Sequence, residues 1–120
     1  MDDREPTTEA VVVGFPDQFD ISNAGDLAEQ MRAAIGPGVS AVVADLTATA
    51  YCDSAGLRII VLAYDWAKAD NVELRLAVPP GAPLAVMELI GLDQLLSIYP
   101  SLDKALAGQQ PIPKEDALHE

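Results

Sequence analysis

One cysteine, one histidine and seven basic side chains are all that this 120-residue sequence offers for disulfides, imidazole chemistry and positive charge. The single thiol, Cys52, excludes an internal disulfide and fits a reducing compartment. The single imidazole, His119, stands next to the last residue, so neither Ser54 nor Cys52 has a sequence-evident base for nucleophilic catalysis. A His/Cys cluster for a metal and a Gly-rich phosphate loop are also missing, and no catalytic residue, metal or cofactor is expected. Nineteen acidic residues against the seven basic ones give a net charge of −12. Such a surface repels nucleic acid and anionic membranes, and it suits solubility or a basic patch on a protein partner. Long apolar runs are lacking too. The longest, Leu57 to Tyr64, is interrupted by Arg58 and is too short to span a bilayer. The opening Met1-Asp2-Asp3-Arg4-Glu5 is polar and acidic, unlike a secretory leader, so a cytoplasmic location is expected. Aromatics are only 5% of the chain, which leaves Val, Leu, Ile and Ala to fill the core.

What is present suffices for one globular domain. Half the residues are hydrophobic, and a chain of this size buries roughly two-thirds of its unfolded surface. Residues 1–8 are polar with Pro6, and 109–120 are polar with two prolines; both are expected to be flexible, leaving a domain over 9–108. Ala10 to Phe15 is β-branched and reads as a strand. Pro16 to Asp20 reads as a turn, Ser22 or Asn23 as a cap with Asp26 as a weak capping-box partner, and Leu27, Met31, Ala34 and Ile35 as one helical face ended by Gly36-Pro37-Gly38. The continuous apolar run Val39 to Leu46 suits a strand covered on both faces. After a loop through Cys52, residues 54–69 read as a helix, and 72–78 as a strand. A short helix with Pro83 in its first turn carries Leu84, Met87, Leu89 and Ile90 and ends at Gly91. Leu95 to Tyr99 reads as a strand, and Ser101 caps a last helix that stops at Gly108. Strict strand–helix alternation predicts an α/β fold with a small, mainly parallel sheet.

Loops at the carboxyl ends of parallel strands carry the functional groups of such folds. Here that loop holds Asp45, Thr47, Thr49, Asp53 and Ser54. Read from the residues alone, Ser54 is either an N-cap, worth about 1 kcal/mol, or a place where a phosphate is added and removed. Asp45 has a plain role available in accepting backbone N–H bonds from the loop. Thr47 and Thr49 are ordinary turn residues, and Arg58 an ordinary solvated one. Gly56 leaves the first helical turn bare for the close approach of another backbone. Cys52 reads as a small buried hydrophobe.

Asp45-Leu46-Thr47-Ala48-Thr49 followed by Asp53-Ser54-Ala55-Gly56-Leu57 resembles the signature of STAS domains, and more narrowly of bacterial anti-sigma factor antagonists. The likeness runs from about Val11 to Ala107 and includes Gly91-Leu92-Asp93 and Ser101 to Leu106. The resemblance implies four to five strands with helices packed largely on one face. It implies that Ser54 is phosphorylated by an anti-sigma factor that is a serine kinase, and that a metal-dependent serine phosphatase reverses this. The dephosphorylated chain, a monomer or weak dimer, would then bind the kinase and free a sigma factor. Asp20, Asp45, Thr47, Thr49, Asp53, Ser54, Gly56 and Arg58 become the implied partner surface. The sequence departs from the family in three places, one of them Cys52, which stands where a larger apolar residue is usual. A first edge strand has only Met1 to Thr8 to form it, and of the usual Gly-Glu-Leu-Asp only Asp20 is plainly kept. The alternative is a STAS binding module of a transport or small-ligand-sensing system.

Overall fold

The computed structural model describes residues 10–108. The expected flexible ends, the place for a first edge strand and His119 lie outside them. Strand β1 (Ala10–Gly14) is followed by the two-residue β2 (Gln18–Phe19) and helix α1 (Ala24–Ala34). Next come β3 (Ala41–Asp45), the two-residue β4 (Tyr51–Cys52) and α2 (Ser54–Ala69). Strand β5 (Glu73–Ala77), α3 (Ala82–Leu89), α4 (Leu92–Leu95), β6 (Ser97–Tyr99) and α5 (Leu102–Ala107) complete the described residues. The main sheet has the order β1-β3-β5-β6 and is parallel throughout, with Val12 opposite Val43, Val43 opposite Arg75 and Arg75 opposite Ser97. This is the α/β arrangement that the alternation predicts.

Strand periodicity assigns the two faces. Val42, Ala44, Leu74, Leu76 and Ile98 point into the large core, where α1 contributes Leu27 and Met31, α2 Leu57, Ile60, Ala63 and Ala67, and α3 Leu84 and Met87. Each fully buried Leu or Ile there contributes about 1.5–3 kcal/mol. Val43, Ala77 and Tyr99 point to the other face, where they form a small cluster with Ala105 and Leu102 of α5 and with Ala10. Helices thus sit largely on one face, and β3, covered on both, is buried from Ala41 through Ala44.

Helix α5 is fixed to the second face by Arg75. Its guanidinium donates to the carbonyls of Ala105 (2.9 Å) and Leu106 (3.2 Å) and pairs with Glu73 at 3.0 Å. Gly108, at φ +69°, lies flat on that guanidinium; a Cβ there would come within 2.7 Å of it. The predicted caps of α5 are both present, with the Ser101 hydroxyl accepting from the Lys104 N–H and Gly108 closing the end in a left-handed conformation.

Three features differ from the sequence reading. Strands β2 and β4 lie in segments read as a turn and a loop. Leu95 belongs to α4 and not to the last strand, which begins at Ser97. Leu89 and Ile90 are 84% and 55% exposed, because α3 turns Leu84 and Met87 to the core and ends at Leu89, leaving these two outside the buried face.

Candidate functional site

The small parallel sheet builds the site. Phe19, fully buried, stands opposite Cys52, and Gln18 opposite Tyr51. The 47–53 segment is zipped to 16–19 by backbone bonds from Ala50 (2.8 Å) and Tyr51 (3.2 Å) to the Asp17 carbonyl and from Asp53 (3.2 Å) to the Phe19 carbonyl. Phe15 meets Phe19 edge to face at 4.8 Å and fills the space beneath.

This zipper delivers Asp53 to the start of α2. Asp53 is the N-cap, and its Oδ1 accepts from the Gly56 N–H at 2.9 Å. Its Oδ2 accepts from the Ile21 N–H at 3.2 Å, so one carboxylate caps the helix and ties down the β2–α1 loop. The cap reading of Ser54 is therefore corrected. Ser54 is the first helical residue, and an Asp one position earlier already satisfies the free N–H that a serine would take. Ser54 is exposed, and its hydroxyl makes no hydrogen bond among the described residues.

The other sequence candidates divide. Asp20 joins the site: its Oδ1 accepts from the Ser22 N–H (2.9 Å) and hydroxyl (2.5 Å), and these bonds, the hydroxyl's first, hold its carboxyl below the ordinary value. Asp45 does what a strand-end carboxylate does, accepting from the Thr47 N–H (3.0 Å) and hydroxyl (2.6 Å), and Thr47 stays exposed. Thr49 is corrected as a surface contact. It is only 6% exposed, and its hydroxyl donates inward to the Pro16 carbonyl at 2.8 Å, bracing the loop from below. Gly56 is approached closely, but by its own chain: a Cβ there would stand 3.0 Å from the Phe19 carbonyl oxygen, the Phe19 ring and Cys52 Sγ. Arg58 is exposed on the outer face of α2. Cys52 is buried as read, and burial first, then the Asp53 charge, pushes its thiol up to about 11, so it is a poor nucleophile.

The Asp20, Ser22 and Asn23 cluster also corrects the start of α1. Asn23 sits at the N-cap position but makes no capping bond, and no capping box with Asp26 forms. Instead its Oδ1 accepts from the Asp20 N–H (3.0 Å) and its Nδ2 donates to the Gln18 carbonyl (2.8 Å). Ile21 at the loop tip was not a sequence candidate; its 78% exposure inside so tightly bonded a turn marks it. Beside the loop, residues 47–50 and 78–83 border an open cleft of about 340 Å³ with no charged residue in its wall. Among the described residues no group of acidic, His and Cys side chains could hold a metal, and no helix is long and apolar enough to cross a membrane.

A family model described as the STAS domain matches residues 3–105. The chain belongs to the STAS domain family. Among solved structures, an anti-sigma factor antagonist from Mycobacterium paratuberculosis is similar, with 27% identity and a TM-score of 0.76 over 87% of this chain and 88% of that one. A sulfate transporter family protein from Wolinella succinogenes shares the fold at 14% identity, with a TM-score of 0.74 over 88% of each chain. The Bacillus cell fate determinant SpoIIAA in its phosphorylated form shares it at 17% identity, with a TM-score of 0.65 over 89% of this chain and 96% of that one. Comparison with curated proteins found no match. In this STAS domain the signature stretch 45–57 is bonded to the distant segment 16–21, and Ser54 follows the Asp53 that joins the two.

Proposed function

We propose that this STAS domain is an anti-sigma factor antagonist whose partner binding is switched off by phosphorylation of Ser54. The observation that carries the reading is the division of labour at the start of α2. Asp53 caps the helix, so the Ser54 hydroxyl is exposed and has no structural duty. The similarity to the mycobacterial antagonist supports the same reading. The partner is an anti-sigma factor with serine kinase activity, a serine phosphatase reverses the mark, and both work in the cytoplasm. The chain is a substrate in another protein's active site and catalyses nothing itself.

A phosphate on Ser54 adds about −1.5 to −2 charges. The free N–H groups of the first turn of α2 tolerate an anion there, so the fold persists. In the kinase active site, however, the phosphoserine faces the phosphates of the bound nucleotide, and like charges at short range separate the pair. Before modification the half-buried Asp20 and Asp53 and the exposed Thr47 and Arg58 provide polar contacts, while Thr49 and Gly56 shape the surface from beneath.

The test is incubation of the full chain with ATP and each purified serine-kinase anti-sigma factor of its source organism, followed by mass spectrometry. Phosphate on Ser54 is expected, with Ser54→Ala binding the kinase permanently and Ser54→Asp binding it far more weakly. Phosphate elsewhere, or none, overturns the reading and returns the domain to the transport or ligand-sensing alternative.

A further inference from the structure

We propose that Ile21 and Tyr51 are the apolar anchors of the partner surface around Ser54, and that they fit a hydrophobic socket bordered by lysine or arginine on the kinase anti-sigma factor. The inference rests on the function proposed above and adds what the partner's face must offer.

A lone exposed isoleucine ordinarily needs no explanation. Ile21 is distinguished by how it is held. The Asp53 carboxylate takes its N–H, while Asp20 and Asn23 bond the turn on both sides of it. The side chain itself is 78% exposed. A turn ordered by this many hydrogen bonds presents the isoleucine with little backbone freedom left to lose on binding, which is the condition for an anchor. Tyr51 is also fixed at its backbone, by the small sheet and the Asp17 carbonyl, and is 52% exposed. The clasp on Asp53 sets Ile21 beside Ser54, and chain continuity sets Tyr51 three residues before it.

Charge selects the partner's rim. Asp17, Asp20 and Asp53 lie on the same two segments, Asp45 ends the strand that leads into the second, and Arg58 is the cation in the neighbouring turn. Two apolar side chains on segments this acidic are complementary to an apolar socket bordered by basic side chains, and a second copy of this chain, at −12, would bring the wrong sign.

The experiment is steady-state phosphorylation of the full chain by the kinase that modifies the wild type, comparing wild type, Ile21→Ala and Tyr51→Ala at two salt concentrations. Ile21→Ala is expected to raise KM about tenfold with kcat nearly unchanged, because the lost contact is the same before and during phosphoryl transfer. Tyr51→Ala is expected to act in the same direction, and higher salt to raise KM for all three. Unaltered thermal melting checks the fold, since Ile21 contributes its N–H and not its side chain to the structure. An unchanged KM for both variants, beside a wild type that is phosphorylated, overturns the anchors and leaves the function standing. A wild type that no kinase of its source organism phosphorylates overturns the function, and the anchors with it.

Discussion

The two strand-to-helix junctions that meet at the small sheet use similar residues to opposite ends. At α1 the cap position holds Asn23, but both ends of its amide are turned back onto the preceding loop, and the first turn is closed by the Asp20 carbonyl accepting from Asn23 and Ala24. At α2 the cap position holds Asp53, whose carboxylate serves the helix and reaches across to the first junction as well. Polar side chains therefore order a loop at one junction and a helix at the other. The difference explains how a serine in the first turn of a helix can be left with nothing to hold.

The comparison breaks most completely if the residue beneath both junctions is removed. Phe19→Ala should cost about 3–5 kcal/mol, because it empties a fully buried site shared with Phe15 and Cys52. Denaturant unfolding measures it, and a loss under half that size would mean that the junctions do not share a foundation. Gly56→Ala comes next, at about 1–3 kcal/mol, since the new methyl meets a carbonyl that cannot retreat without breaking its bond from Asp53. A gain in stability would show that helix propensity, worth about 1 kcal/mol, outweighs the contact.

Asp53→Ala should cost about 1–2 kcal/mol and speed amide exchange at both Gly56 and Ile21. Asn23→Ala, by contrast, should speed exchange at Asp20 and leave the middle of α1 protected. Equal effects of the two substitutions on their helices would erase the distinction drawn above. Ser54→Ala should change stability by under about 0.5 kcal/mol, as for a surface residue away from any such feature. A larger loss would restore the cap reading.

The smallest effect concerns pH. The Asp20 carboxyl is held below its ordinary value by Ser22, so its favourable contribution is present above the unfolded value and is lost as pH falls through the folded one. Ser22→Ala should move the Asp20 titration up toward the ordinary value in an NMR pH series. No movement would assign the shift to something other than the hydroxyl bond.

The sequence made the large elements legible because each carried its own periodicity or punctuation. The run Val39 to Leu46 read as a doubly covered strand, of which Ala41–Asp45 forms β3, and Gly36-Pro37-Gly38, Ser101 and Gly108 marked boundaries that the structure keeps. Strands β2 and β4 were not legible, because two residues have no period and their pairing lies between distant segments. The same reason hid the inward turn of Thr49, whose partner is Pro16, and the true neighbour of Gly56, which is Phe19. The site's position was visible in Asp53-Ser54-Ala55-Gly56-Leu57. Which of two adjacent polar residues would cap α2 was not, since Asp and Ser have nearly equal N-cap preference and only the clasp on Ile21 decides between them.

Among the described residues every strand pairing is parallel, so none of these pairs can be closed by a hairpin. Thr49 reaches its acceptor across 33 residues and Ile21 reaches Asp53 across 32. The surface around Ser54 therefore does not exist in any local fragment of the chain, and a newly made or partly unfolded copy presents the serine without its surroundings. Under the function proposed above, a partner that reads this surface would read the completeness of the fold along with it.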